Sequence, residues 1–382
     1  MTPSTTGSAA GSLDTGRARA WAWIAHLRGG GTTPWRSWSS TAAADEGRFL
    51  PGAQQLELLR RINLVAPAPP ALAERVLAAS APGRGRPDLE LVGVDRDRRF
   101  GPPAVDPGDL PDEELLRVAT GLLALSLVEM RKLVVGSPDR QPGPVSRRGP
   151  RRLRTRYELA GDPWLASAWT SVLVADRRPP GGSGRSVHVL ATDLPAMLAH
   201  TWAAGAFGTG APSWPDFLAR VRARRRLPQR VDLPGAVERL RARPHTGRVG
   251  VVLDLAALPG LVGVRRLAPV PEAPAHATEL VRQVGVALSL HVLPAEQADL
   301  LATALRPGLA GLPGALPVVP PEHQDWVEDA AFALRQRLLR ARYPVVGDPD
   351  LVLPAGTGAT APETAGSPVL DLAIELLLEE GR

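Results

Sequence analysis

The chain has 382 residues, 44% of them apolar, and a formal net charge of +6. That length allows two domains and a sizeable core, and that apolar share is ordinary for a globular protein. Cysteine is absent, which excludes disulfides, thiolate zinc sites and cysteine nucleophiles and points to a reducing cytoplasm. Residues 1–16 are rich in Ser, Thr, Gly and Ala and read as a disordered tail.

Residues 17–135 read as an α-helical domain. Ala18–Leu27 carries an apolar face of Trp21, Trp23, Ile24 and Leu27, and Gly29-Gly30-Gly31 ends that helix. Ala53–Leu64 sets Leu56, Leu59, Ile62 and Asn63 at helical spacing, with Glu57, Arg60 and Arg61 on the other side. Ala71–Ala79 is a further short helix, and a Pro/Gly-rich loop covers Pro82–Pro111. A strong helix follows at Asp112–Val135, with Asp112, Glu113 and Glu114 in its first turn and Arg131 and Lys132 near its end, the order the helix dipole favours.

Residues 136–151 have a linker composition of Ser, Pro, Gly and Arg. From 152 to 354 strand and helix alternate. Strand 154–161 feeds helix 163–176, strand 186–192 feeds helices 194–205, 214–226 and 234–242, and strand 248–253 follows. Alternation and near-continuous apolar strands predict an α/β domain, a mostly parallel sheet with flanking helices. Its C-terminal part turns helical at 275–291, 294–306 and 322–341, and 343–354 is extended. Residues 355–382 make a flexible segment and an acidic terminal helix, Val369–Glu380.

Each of the three strands ends in an aspartate, Asp162, Asp193 or Asp254, and ligands of parallel sheets bind outside the carboxyl ends of the strands. Either each carboxylate caps the helix that follows it, or the three form a cluster that orients a substrate. His200, seven residues past Asp193, can face the same edge as a general base, whereas His188 lies inside a strand and reads as a satisfied core histidine. Trp164, Trp169, Trp202 and Trp214 fall near the strand ends, as core or as pocket wall.

Several chemistries find no support. No Gly-Lys-Ser/Thr phosphate loop, no His-Glu-x-x-His zinc helix and no Gly-x-Ser-x-Gly elbow occurs, so neither cofactor nor metal is expected. Lys132 is the only lysine beside 44 arginines, the codon signature of a GC-rich genome. The basic runs Arg147–Arg156 and Arg220–Arg230 lack interleaved aromatics, so they read as solvated faces and nucleic acid is not an expected partner. No apolar run reaches the length of a membrane span.

The stretch Val187–Trp202, then Ser213-Trp-Pro-Asp-Phe-Leu218, Arg248–Leu253, Val319–Trp326 and Arg342–Asp348, resembles the P-loop sulfotransferase-like proteins of actinobacteria, over about residues 152–354. The resemblance implies a P-loop/sulfotransferase-like fold. It also implies a phosphate cradle of the Lys-x-Gly-Thr-Thr kind, yet Ala160–Leu165 at that place offers no Lys, Ser or Thr. The family's arginine for the 3′-phosphate of the donor falls at Thr192, and its serine near His200 and Thr201. The chain therefore looks like a degenerate member.

Three functional readings stand. The first is a sulfotransferase-like protein that is non-catalytic or repurposed. The second is an active group transferase with a non-standard donor site, using Asp162, Asp193 and His200 for catalysis and Trp164, Trp202, Asp254 and Thr192 for substrate. The third is a protein-interaction module that meets its partner through the N-terminal helices.

Overall fold

The computed structural model describes residues 8–42, 49–79, 88–94, 104–135, 156–208, 210–270, 272–309, 311–354 and 367–380. The chain divides into two compact units. The first comprises residues 1–136, 283–300 and 364–382, and the second 137–282 and 301–363. Residues 283–300, expected inside a continuous α/β domain, thus belong with the first unit, as does the terminal helix. The expected linker 136–151 and the flexible part of 355–382 lie outside the described residues, apart from its end at Ser367.

The first unit is mostly helical. It contains α1 (Ser8–Arg28), α2 (Ala53–Val65), α3 (Pro70–Ala78), a two-residue parallel pair of β1 (Glu90–Leu91) with β2 (Ala104–Val105), and α4 (Asp112–Val135). α1 starts at Ser8, inside the stretch expected to be a disordered tail. The triple glycine ends it as expected: Gly30 takes φ +85°, and the Gly31 N–H donates to the His26 carbonyl at 2.9 Å. Asn63 then pins this corner, since its amide donates to the carbonyls of Leu27 and Gly31 and accepts from the Ala68 N–H.

The expected polar side of α2 is not a solvent face. Gln54, Gln55 and Glu57 are buried along with Leu56, Leu58 and Leu59. Glu57 is accommodated inside because Arg60 and Arg61, three and four residues on, both pair with it. Periodicity misread this helix because the local ion pairs let it be enclosed on both sides.

The second unit is α/β. Its sheet has four parallel strands in the order β3 (Tyr157–Gly161), β4 (Arg185–Leu190), β5 (Thr246–Val252) and β6 (Val345–Val346). α5 (Pro163–Ala175) follows β3. α6 (Leu194–Ala206), α7 (Trp214–Ala223) and α8 (Leu233–Arg241) follow β4. After β5 come α9 (Leu258–Leu261) and α10 (Ala275–Leu288), the latter running on past residue 282.

The expected helix 294–306 is broken. It comprises α11 (Pro294–Leu300), a π-helical turn over Leu301–Leu305 and α12 (Arg306–Leu309). α13 (Pro321–Leu339) leads into β6, and α14 (Pro368–Glu380) packs along α4 in the first unit. No helix among the described residues is long and apolar enough to cross a membrane.

One face of the sheet carries the main core. Val187 and Val189 of β4 and Val249 and Val251 of β5 alternate onto it, as strand geometry requires, against Trp202, Leu218, Val237 and Leu334 from the helices. Indole pairing adds to burial there: Trp202 and Trp214 lie 5.6 Å apart, a contact worth about 1 kcal/mol beyond its area.

His188, between Val187 and Val189, points to the opposite face. It is buried, but its Nε2 lacks a hydrogen-bond partner among the described residues. The satisfied core histidine expected here is therefore an unsatisfied one. Burial pushes its pKa below the ordinary 6.5. A proton taken up by the unfolded chain is then refused by the folded one, so stability is full above pH 6.5 and falls as pH drops below it. The expected loss is up to about 1.4 kcal/mol per pH unit. Urea titrations between pH 7.5 and 5.5 check it, and His188→Leu flattens that slope.

Candidate functional site at the strand ends

Gly161 makes the turn out of β3. Its φ is +88°, and a Cβ there would stand 2.3 Å from the Leu190 carbonyl oxygen, so only glycine fits. The next residue continues the ladder, with the Asp162 N–H donating to Leu190 O at 2.9 Å. Proline at N1 then starts α5 without wasting a donor.

The Asp162 side chain is fully buried. Its Oδ1 accepts the backbone N–H groups of Trp164 and Leu165 at 3.0 and 3.1 Å. Its Oδ2 lies 2.7 Å from Nδ1 of His200, which is also buried. A carboxylate can only accept, so the histidine Nδ1–H is the donor. Asp162 thus caps α5 and tethers α6 at once.

The other two aspartates cap separately. Asp193 accepts from the Ala196 N–H at 2.9 Å at the start of α6. Asp254, exposed, accepts from the Ala256 N–H at 3.0 Å in the turn after β5. Among the described residues no group of three or more His, Asp and Glu could hold a metal ion. Of the expected catalytic trio, the structure joins Asp162 to His200 and leaves Asp193 to its own helix.

The strand order explains part of this. In an open parallel sheet a binding crevice forms where the strand order reverses, and the order β3-β4-β5-β6 never reverses. Thr192, half-buried, has its hydroxyl 3.5 Å from the Asp193 carbonyl. Trp202 is core, its indole N–H donating to Pro212 O at 2.9 Å, and Trp214 and Trp169 likewise bury rings and donate to Val318 O and Ala268 O.

Trp164 differs. On the first turn of α5, it forms one wall of a cavity of about 320 Å³ within the second unit, together with Phe207, Ala277, Thr278, Arg306 and Leu309. The Arg306 guanidinium carbon lies 4.4 Å from the Trp164 ring centroid and 5.5 Å from that of Phe207, within cation–π range. Arg306, Phe207 and Thr278 were not expected from sequence. The one signal toward Arg306, a Pro-Gly pair directly after it, marks irregular helix but names no ligand.

The expected partner surface on residues 17–80 has little to offer. Its exposed large hydrophobics, among the described residues, are Phe49, Leu64 and Val65, and such scattered residues need no partner. In the run Arg220–Arg230 every arginine is exposed, as a solvated face requires. Of the other basic run, residues 147–155 lie outside the described residues.

No protein-family model, no curated protein and no solved structure matches this chain.

Asp162→Ala removes a cap and strands a buried imidazole. The expected cost is about 3 kcal/mol in urea unfolding, more than either loss alone. Because the two residues share one bond, the His200→Ala and Asp162→Ala costs should fall short of additive in the double variant by about 1 kcal/mol or more.

Proposed function

We propose that the second unit is a sulfotransferase-like α/β module that no longer performs sulfuryl transfer and has been repurposed. The observation that carries this reading is the occupancy of the α5 N-terminus. In a phosphate cradle the first free N–H groups of the helix bind the donor's phosphate. Here a buried carboxylate from the same chain takes two of them, at Trp164 and Leu165. A phosphosulfate brought to this place would meet a like charge and find those two donors engaged.

The same geometry weighs against an active transferase with a non-standard donor site. Such an enzyme needs Asp162 and His200 open to substrate, and both are buried against one another. A general base has to come within hydrogen-bond reach of the proton it removes, and this pair is spent on holding α5 to α6.

A thermal-shift titration of the full chain with adenosine 3′,5′-bisphosphate and its 5′-sulfated form tests the proposal. The expected result is no shift with either. A saturable rise of more than about 2 °C would overturn it, since a ligand that binds only the folded state must raise the melting temperature.

A further inference from the structure

The half-buried arginines of the second unit differ in how their charge is met: Arg178 gives its N–H groups to the carbonyls of Val262 and Gly263. Arg185, Arg243, Arg282, Arg335 and Arg337 each have a carboxylate partner. Arg306 is half-buried and has none among the described residues. Burial alone pushes its pKa below the ordinary value, with no neighbouring charge to oppose that. A cation withdrawn from water without an anion is costly to keep. Its retention is explained when the anion comes from outside.

The surroundings are shaped for one. Trp164 and Phe207 hold the guanidinium against their rings, while the cavity it lines gives its N–H donors an open side. Thr278, a buried residue, also lines the cavity. The rest of the lining is mostly apolar, chiefly Ala277 and Leu309, with Ser171 and Glu272 as its polar members. The backbone that delivers Arg306 is the π-helical turn Leu301–Leu305, a rare conformation that recurs at functional sites. A volume of about 320 Å³ is at the small end of ligand pockets.

We infer that this cavity binds a small monocarboxylate with an apolar body, its carboxylate on the Arg306 guanidinium and the Thr278 hydroxyl, its body against Trp164 and Phe207. Charge selects the class. One guanidinium matches one negative charge bidentately. The exposed Glu272 at the rim adds a like charge that disfavours a dianion such as phosphate. The site does not rest on sulfotransferase kinship: its anion partner is Arg306 and not the N-terminus of α5, so a shift with adenosine bisphosphate would sink the preceding proposal and leave this one intact.

Calorimetric titration of the full chain with hexanoate, phenylacetate and indole-3-acetate, each beside its neutral amide and beside inorganic phosphate, tests it. At least one carboxylate should saturate a single site and bind about tenfold or more tighter than its amide. That comparison uses the wild-type chain and needs no variant to fold. Arg306→Met should lose the preference for the acid, Arg306→Lys should keep part of it, and Thr278→Val should weaken the acid about threefold while sparing the amide. The inference is overturned if no carboxylate binds, if amides bind as well as acids, if phosphate binds tighter than every carboxylate, or if a folded Arg306→Met chain binds the acid unchanged.

Discussion

The buried carboxylate of Asp162 is the constraint on which the second unit is arranged. A charge with no solvent exposure is tolerable only when every lone pair that matters is used. Here the partners come from two directions: the first-turn N–H groups of α5, and the imidazole of His200 on α6. The bond therefore fixes the start of one helix and the rotation of another. It also sets the chain path, because Asp162 can reach both only if Gly161 turns at a positive φ against the Leu190 carbonyl. Strand β3, the turn, α5 and α6 are a single mechanical piece held at one carboxyl group.

Much of this fold was legible because its signals are local. Acid-first, base-last order places α4 at Asp112–Val135, the bounds the structure has. Asp-Pro and Asp-Leu-Pro after apolar runs mark the ends of β3 and β4 and the starts of α5 and α6, since a cap and an N1 proline act within three residues. What escaped is what depends on partners distant in sequence. Asp162 and His200 are 38 residues apart, and no spacing rule links a residue before one helix to a residue inside the next. Helical spacing sets Glu57 opposite the apolar residues of α2, yet two flanking arginines allow it inside. The sheet order, and with it the lack of a reversal point, cannot be read from strands that merely alternate with helices.

The strand ends drew attention for a sound reason, and the same reason shows why they are closed. Helix N-termini attract anions, and a sequence that places an aspartate there satisfies the attraction internally. Three strands ending in aspartate are then three satisfied caps, at Asp162, Asp193 and Asp254, and convergence of carboxylates in sequence is no longer convergence on a ligand. Trp164 is the exception that links the closed edge to an open one. Its backbone N–H is consumed by Asp162, while its ring forms a wall of the cavity beside α5.

That division of labour within one residue relocates the place where an anion is wanted. At the strand ends the chain carries its own anion and the available donors are spent. In the cavity beside α5 the chain carries a cation, Arg306, which lies over two aromatic rings and has no carboxylate partner among the described residues. Aromatic faces stabilise a guanidinium, but by about 0.5–2 kcal/mol, less than the penalty of withdrawing an ion from water. The balance is made up either by water at the cavity mouth or by a bound carboxylate. A planar fork that follows a π-helical turn and lines a cavity with two aromatic walls fits the second case better.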